Sequence, residues 1–173
     1  MDVIRTERLV LREFELSDAE FILGLLNEQA FLRFIGDKGV RNMGDARAYI
    51  AKGPRDSYER HGFGLYAACL LDGTPVGMCG LVKREGLADV DVGFAFLSRY
   101  CLNGYAVESA SAVLAHARAV LGLQRIVAIV SPENAGSIAV LDRIGLKFER
   151  MIRLAEGSPE LKLFGSGPAD AKH

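Results

Sequence analysis

The segment that most constrains this chain is a long amphipathic helix set between two strands. Ala106, Val107, Ala110, Val113, Leu114, Ala117, Val120 and Leu121 recur at the helical period, which places them on one face of one helix. Gly122 follows as a stop signal. Before the helix, residues 89–97 alternate with Val90, Val92, Phe94 and Phe96 on one face. After it, residues 125–130 are short, apolar and β-branched, the pattern of a strand covered on both sides. A strand, a helix and a buried strand in that order make a crossover to a parallel neighbour. Upstream, 63–71 and 76–82 read as strands joined at the turn signal Asp72-Gly73. An antiparallel meander therefore feeds the crossover.

The remaining elements fall around this unit. Leu9, Leu11 and Phe14 read as a first strand, and Ser17-Asp18-Ala19-Glu20 has the form of a capping box ahead of Phe21, Ile22, Leu25 and Leu26. Residues 31–40, rich in Phe and Gly, read as a loop. Residues 43–60 read as helical, with a break or kink at Gly53-Pro54 because proline lacks the donor. A helix after Pro132-Glu133-Asn134 ends at Gly145, and strands follow at 146–154 and 160–164. The expected fold is α/β, in α+β layers, with a mixed, mostly antiparallel central sheet, a β-α-β unit and helices on both faces. It occupies one domain, residues 1–165, with a polar tail at 166–173.

Composition narrows the function classes. Half of the 173 residues are hydrophobic and a quarter are charged, enough to build a core and to exclude disorder as a description of the whole chain. Lys and Arg number 21 against 22 Asp and Glu, so the basic surplus of a phosphate-neutralising nucleic-acid binder is missing. The longest apolar run, 65–71, is too short for a membrane span, and the N-terminus lacks a secretion signal. The expectation is a cytoplasmic protein that binds neither nucleic acid nor membrane. Cys69, Cys79 and Cys101 are odd in number without C-x-x-C spacing, and His61, His116 and His173 are scattered. Neither a disulfide framework nor a metal site is expected. Cys101 precedes a helix start, where the dipole lowers a thiol pKa; it reads as an ordinary loop residue or as a nucleophile.

The chemistry concentrates between Phe96 and Glu108. A buried strand ends, Ser98-Arg99-Tyr100-Cys101-Leu102-Asn103 turns, and Gly104 opens the long helix. The first N–H groups of a helix lack intrahelical partners and attract anions, phosphates especially. Arg99 adds a charge to the same turn, though glycine at a helix start is also plain turn chemistry. Two other phosphate patterns fail: G-x-x-x-x-G-K-[ST] is absent, and Gly62-Phe63-Gly64 precedes a strand instead of opening a helix.

Four stretches, in order, resemble the GNAT N-acetyltransferase superfamily, in the branch of the ribosomal-protein-alanine N-acetyltransferases. They are Thr6-Glu7-Arg8-Leu9-Val10-Leu11-Arg12, Asp91-Val92-Gly93-Phe94, Asn103-Gly104-Tyr105-Ala106-Val107-Glu108, and the run from Asn134-Ala135-Gly136-Ser137 to Ile144-Gly145-Leu146. The resemblance implies that the β-α-β unit binds coenzyme A and that acetyl-CoA donates to a primary amine, a protein N-terminus or a small molecule. It implies that Arg99, Leu102, Asn103, Gly104, Tyr105 and Ala106 cradle the pyrophosphate, with Leu102 standing where the family has glycine. It also implies that a backbone N–H around Phe96, Leu97 and Ser98 meets the acetyl oxygen and that Asn134 binds the pantetheine arm. Asp91 stands where members carry a glutamate base; the strand pattern alone reads Asp89 and Asp91 equally well as solvated carboxylates. Ser137 is a contact to the coenzyme thiol by the same resemblance, or a helix cap by its position. Leu141 replaces the tyrosine that protonates the leaving group in many members. Phe31, Phe34 and Arg33 fall where the acceptor enters. A non-catalytic acyl-CoA-binding module on the same fold is the alternative, and the protein is expected as a monomer or homodimer.

Overall fold

The computed structural model describes residues 1–166. The chain opens with a hairpin of β1 (Asp2–Arg5) and β2 (Leu9–Arg12). β1 went unrecognised because only its middle residues are half-buried, so it carries no alternation. Asp18 governs the entry to α1 (Ala19–Leu26). Its carboxylate accepts the Glu15 N–H at 2.8 Å and both terminal nitrogens of Arg12 at 2.9 Å. A capping box of Glu15 and Asp18 on the 3-10 turn Leu16–Asp18 thus leads into α1, in place of the expected Ser17–Glu20 box. The region expected as a loop from residue 31 begins inside a short helix, α2 (Gln29–Phe34).

The helical stretch expected at 43–60 forms without a break. α3 (Met43–Ile50) runs into a π-helical segment, Ala51–Arg55, and on into α4 (Asp56–His61). The wider π turn takes up Pro54, which has no N–H to give. Gly62 then leaves the helix at φ 77°, a left-handed conformation that costs glycine nothing.

β3 (Leu65–Leu70), β4 (Pro75–Val82) and β5 (Asp91–Phe96) form the meander, and α5 (Tyr105–Ala119) crosses over to β6 (Ile126–Val130), parallel to β5. α6 (Ala135–Arg143) leads to β7 (Lys147–Ile152) at the sheet edge, and β8 (Leu161–Ser166) returns between β6 and β7. The eight strands lie in the order β1-β2-β3-β4-β5-β6-β8-β7, with every pair antiparallel except β5–β6. The expected mixed α/β sheet with a β-α-β unit is present. Ser166, assigned to the tail, ends β8; the rest of the tail, 167–173, lies outside the described residues.

Helices cover both faces. On one, Ala110, Val113, Leu114 and Ala117 of α5 and Leu141 of α6 pack on Tyr66, Ala68, Cys79 and Val92. On the other, Ile22, Leu25 and Leu26 of α1, Phe31 of α2 and Ile50 of α3 pack on Ala67, Cys69 and Met78. Successive residues of β3 thus enter different cores, which explains its unbroken apolar sequence. Both layers are anchored on the meander strands, so β5 is held from two sides, whereas β6 packs through Ile126, Ala128 and Val130 on the α5–α6 side.

Candidate active site

The parallel ladder between β5 and β6 pairs at Asp91↔Val127, with the Val127 N–H donating to the Val90 carbonyl at 3.0 Å. Past that point the strands part. β5 stays paired to β4 on its other edge from Val82↔Asp91 to Gly77↔Phe96, and the Leu97 N–H donates to the Val76 carbonyl at 3.0 Å. Antiparallel hydrogen bonds alternate from edge to edge. The N–H groups of Phe94 and Phe96 therefore point away from β4, into the wedge between β5 and β6.

Two cavities of about 430 Å³ each flank the wedge and share Phe31, Phe34, Phe94, Ala95, Asn134 and Ser137 as walls. The first extends under α2, the π segment and the loop after β4, and contains Asp91. The second runs between the starts of α5 and α6. Of the residues singled out from the sequence, Phe96, Leu102, Gly104, Tyr105, Ala106, Asn134 and Ser137 line the second cavity. Leu97, Ser98, Arg99 and Asn103 line neither. Leu97 is a core residue with its N–H already donated. The Ser98 N–H and hydroxyl both donate to Glu28 Oε1, at 2.8 and 3.0 Å. Arg99 lies over the Tyr100 ring, and Asn103 donates its side-chain amide to the Tyr100 carbonyl at 3.1 Å. Arg33, expected at the acceptor entry, lines neither cavity but stacks on Phe34, a wall of both.

Asp91 is 1% exposed, which removes the reading of a solvated strand carboxylate for it. Its Oδ2 accepts from Arg84 Nε at 2.9 Å, and its Oδ1 is buried with no hydrogen-bond partner among the described residues. Burial raises its pKa above the ordinary carboxylate range, and the charge and hydrogen bond of Arg84 offset that only in part. Asp89, by contrast, is half-exposed and paired to Arg125 at 3.1 Å. At the start of α6, the Asn134 side chain accepts the Ser137 N–H at 3.2 Å. The helix cap is thus Asn134, not Ser137, whose hydroxyl makes no hydrogen bond within the described residues. Cys101 shows the reverse of the expected shift. Partial burial and the Glu28 carboxylate raise its thiol pKa, and it donates to the Phe96 and Leu97 carbonyls.

The first intrahelical bond of α5 is Glu108 N–H to the Gly104 carbonyl, at 3.0 Å. The N–H groups of Tyr105, Ala106 and Val107 are left without helix acceptors. Gly104 has φ 82°, and a Cβ there would come within 3.1 Å of Arg8 Nη2. Arg8 stacks over the Tyr105 ring and reaches Glu108 Oε1 through Nε at 2.7 Å. Glu108 Oε2 accepts from the Arg8 N–H at 2.8 Å and the Thr6 hydroxyl at 2.6 Å. Leu102, in the place of a family glycine, keeps the left-handed backbone at φ 67° and leaves its side chain fully solvated. A non-glycine residue pays about 1–2 kcal/mol for that conformation, so the turn holds its shape against the local preference of its side chain.

Arg8, Arg84, Glu28 and Glu108 were not assigned chemistry from the sequence. Arg8 and Glu108 lie in matched stretches, which was a usable signal. Arg84 carries none, because its partner lies across a loop. Among the described residues no group of His, Cys, Asp and Glu could hold a metal, and no helix is long and apolar enough to cross a membrane.

Comparison with known proteins fits this arrangement. Residues 8–147 match the acetyltransferase (GNAT) domain family. The uncharacterised N-acetyltransferase YnaD of Bacillus subtilis (strain 168) is 31% identical over 147 residues, covering 84% of this chain and 83% of its own. A GNAT-family acetyltransferase from Bacillus anthracis superposes with a TM-score of 0.78 at 26% identity, over 96% of this chain and 99% of that one. RimL, a ribosomal alpha-N-protein acetyltransferase solved with coenzyme A, shares the fold, with a TM-score of 0.82 at 17% identity over 96% and 98% of the two chains. By its domain match, its relatives and its fold, the chain belongs to the GNAT acetyltransferase family.

Proposed function

We propose that this protein is an acetyl-CoA-dependent N-acetyltransferase acting on a primary amine, either a protein N-terminus or a small molecule. The carrying observation is Asp91, a buried carboxylate in the cavity at the wedge, with one oxygen held by Arg84 and the other unpartnered. Such an oxygen is placed to accept a proton, directly or through one water.

The second cavity suits an elongated polyanion with amide groups. Three unpaired N–H groups and the Arg8 guanidinium at the start of α5 match phosphates. The exposed edge of β5 and the Asn134 side-chain amide match the amides of a pantetheine arm. Bound there, acetyl-CoA supplies an acyl group activated as a thioester. The protein supplies the rest. Phe94 and Phe96 hold N–H donors in the wedge, fixed before a carbonyl oxygen gains charge. Asp91 Oδ1 takes the proton that the amine loses. Ser137 offers an unengaged hydroxyl to a departing sulfur.

Thiol release from acetyl-CoA, measured over a panel of primary amines, tests the reading. Asp91→Asn is expected to lower kcat by about 100-fold or more, with coenzyme affinity retained. Ser137→Ala is expected to lower kcat more than it raises KM for acetyl-CoA. Leu141 favours one competing reading, because it fills the tyrosine's place with a buried aliphatic side chain. Tight coenzyme binding with no turnover on any amine would make the protein a non-catalytic acyl-CoA-binding module.

A further inference from the structure

We infer that the acceptor is a small amine carrying its own anionic group, a carboxylate or a phosphate, recognised in the first cavity by Lys38, Lys52 and the outer edge of Arg84. This rests on the acetyltransferase reading and names the substrate class of the same site.

The charge of the cavity argues for it. Its walls hold four cationic side chains, Lys38, Lys52, Lys83 and Arg84, against two carboxylates, Asp56 and Asp91. The chain as a whole carries a net charge of −1, so this surplus is local. Both carboxylates are already matched, Asp56 by Arg60 at 2.8 Å and Asp91 by Arg84 at 2.9 Å. Lys83 donates to the Leu87 and Ala88 carbonyls. Lys38 and Lys52 have no hydrogen bond or ion pair to the described residues. Arg84 gives only its Nε to Asp91, and its two terminal nitrogens make no bond within the described residues. That leaves two ammonium groups and a guanidinium fork in one cavity without an acceptor. A fork of this kind matches carboxylate or phosphate oxygens two at a time.

The same cavity holds the complementary group. Asp91 Oδ1 is buried and unpartnered, and an ammonium or amine N–H satisfies it. Arg84 therefore touches both halves of the problem, with one edge on the carboxylate that meets the amine and the other toward the anion. Lys38 adds to this. Surrounding protein lowers its pKa first and the nearby charge of Arg84 adds to that. A ligand anion seated between Lys38 and Arg84 relieves that repulsion. One cavity of about 430 Å³ holds both sets, so a small molecule can satisfy amine and anion sites together.

Matched acceptors test the inference on the full-length protein with acetyl-CoA. The amino acids with a primary α-amine, cysteine aside, are compared with their carboxamides, and phosphoethanolamine with ethanolamine, by kcat/KM from thiol release. The acid or phosphate member of at least one pair is expected to exceed its neutral partner by about tenfold or more. Which member it is separates carboxylate from phosphate. Lys38→Gln is expected to collapse the acid-to-neutral ratio through KM, and Lys38→Arg to restore most of it. Neutral members turning over as well as the anionic ones would overturn the inference and leave the acetyltransferase reading standing. So would equal turnover of a C-terminally amidated peptide without acidic residues. Retained coenzyme A binding with no acetylation of any member would also overturn it. Failure to bind coenzyme A at all would instead remove the reading on which it rests.

Discussion

At the residue scale the site depends on two side chains separated by seven positions, Arg84 and Asp91. Burial drives Asp91 toward its protonated form, and Arg84 pulls it back in part. In the proposed role of general base Asp91 works in its ionised form, so kcat is expected to fall as pH drops through its pKa, which lies above the usual carboxylate value of about 3.9. Arg84→Gln removes the charge and the hydrogen bond that favour ionisation, so the Asp91 pKa rises further. The acid limb of the kcat–pH profile is then expected to move to higher pH, while coenzyme affinity holds. A limb that stays in place would mean that Asp91 is not the titrating base. Asp91 was legible as a candidate through the resemblance of its stretch to the family, whereas the strand pattern alone did not separate it from Asp89. The sequence could not reveal Arg84, because the contact crosses an irregular loop whose path no periodicity encodes. Nor could it separate Ser98 from Phe96: their roles depend on which edge each N–H faces, and Glu28, distant in sequence, claims the Ser98 N–H.

At the element scale, long and strongly periodic segments were legible and short ones were not. α5 and the meander announced themselves by spacing, whereas α2, six residues long, completes too little of a helical repeat to show a face. The π segment was half visible, since Pro54 predicted a disturbance but not that the helix would absorb it. The N-terminal hairpin shows how a matched stretch acquires meaning through an element contact. Thr6 and Arg8 dock on Glu108 and so tie the β1–β2 hairpin to the first turn of α5. Burial acts to raise the Glu108 pKa, but the Thr6 hydroxyl, the Arg8 N–H and the Arg8 guanidinium outweigh it, and the net shift is downward. A carboxyl with a lowered folded pKa stabilises the fold above its unfolded pKa, about 4.3 for Glu, and loses that contribution as pH falls through the folded value. Glu108→Gln is therefore expected to cost about 1–2 kcal/mol at pH 7, in line with hydrogen bonds to a charged acceptor. Its melting curve should converge on the wild-type curve only once pH has fallen below the lowered folded-state pKa of Glu108. A deficit independent of pH would assign the loss to packing instead of charge.

At the scale of the whole molecule, the wedge is a consequence of topology. β5 is held by β4 and β6 by β8 along their outer edges, while each face is packed by a different set of helices. The two halves of the sheet can part after Asp91↔Val127 without either strand losing its support on the other side. The edge N–H groups freed there open onto the two cavities, where water or the amide groups of the proposed pantetheine arm can pair with them. Residue-resolved amide exchange can read that directly. Gly93, Ala95 and Leu97 direct their N–H groups to β4 and are expected to be protected with or without coenzyme. Phe94 and Phe96 direct theirs into the wedge and are expected to exchange quickly in the free protein. On adding coenzyme A they should become protected together with Tyr105, Ala106 and Val107 at the start of α5, although those three lie in another element. At 100 times its dissociation constant a ligand adds about 2.7 kcal/mol to stability, so a rise in melting temperature of roughly 5–11 °C should accompany the protection. Protection at the start of α5 alone would describe a phosphate site without a strand-like arm in the wedge. Protection of both together is the signature of one ligand bridging the halves of the sheet.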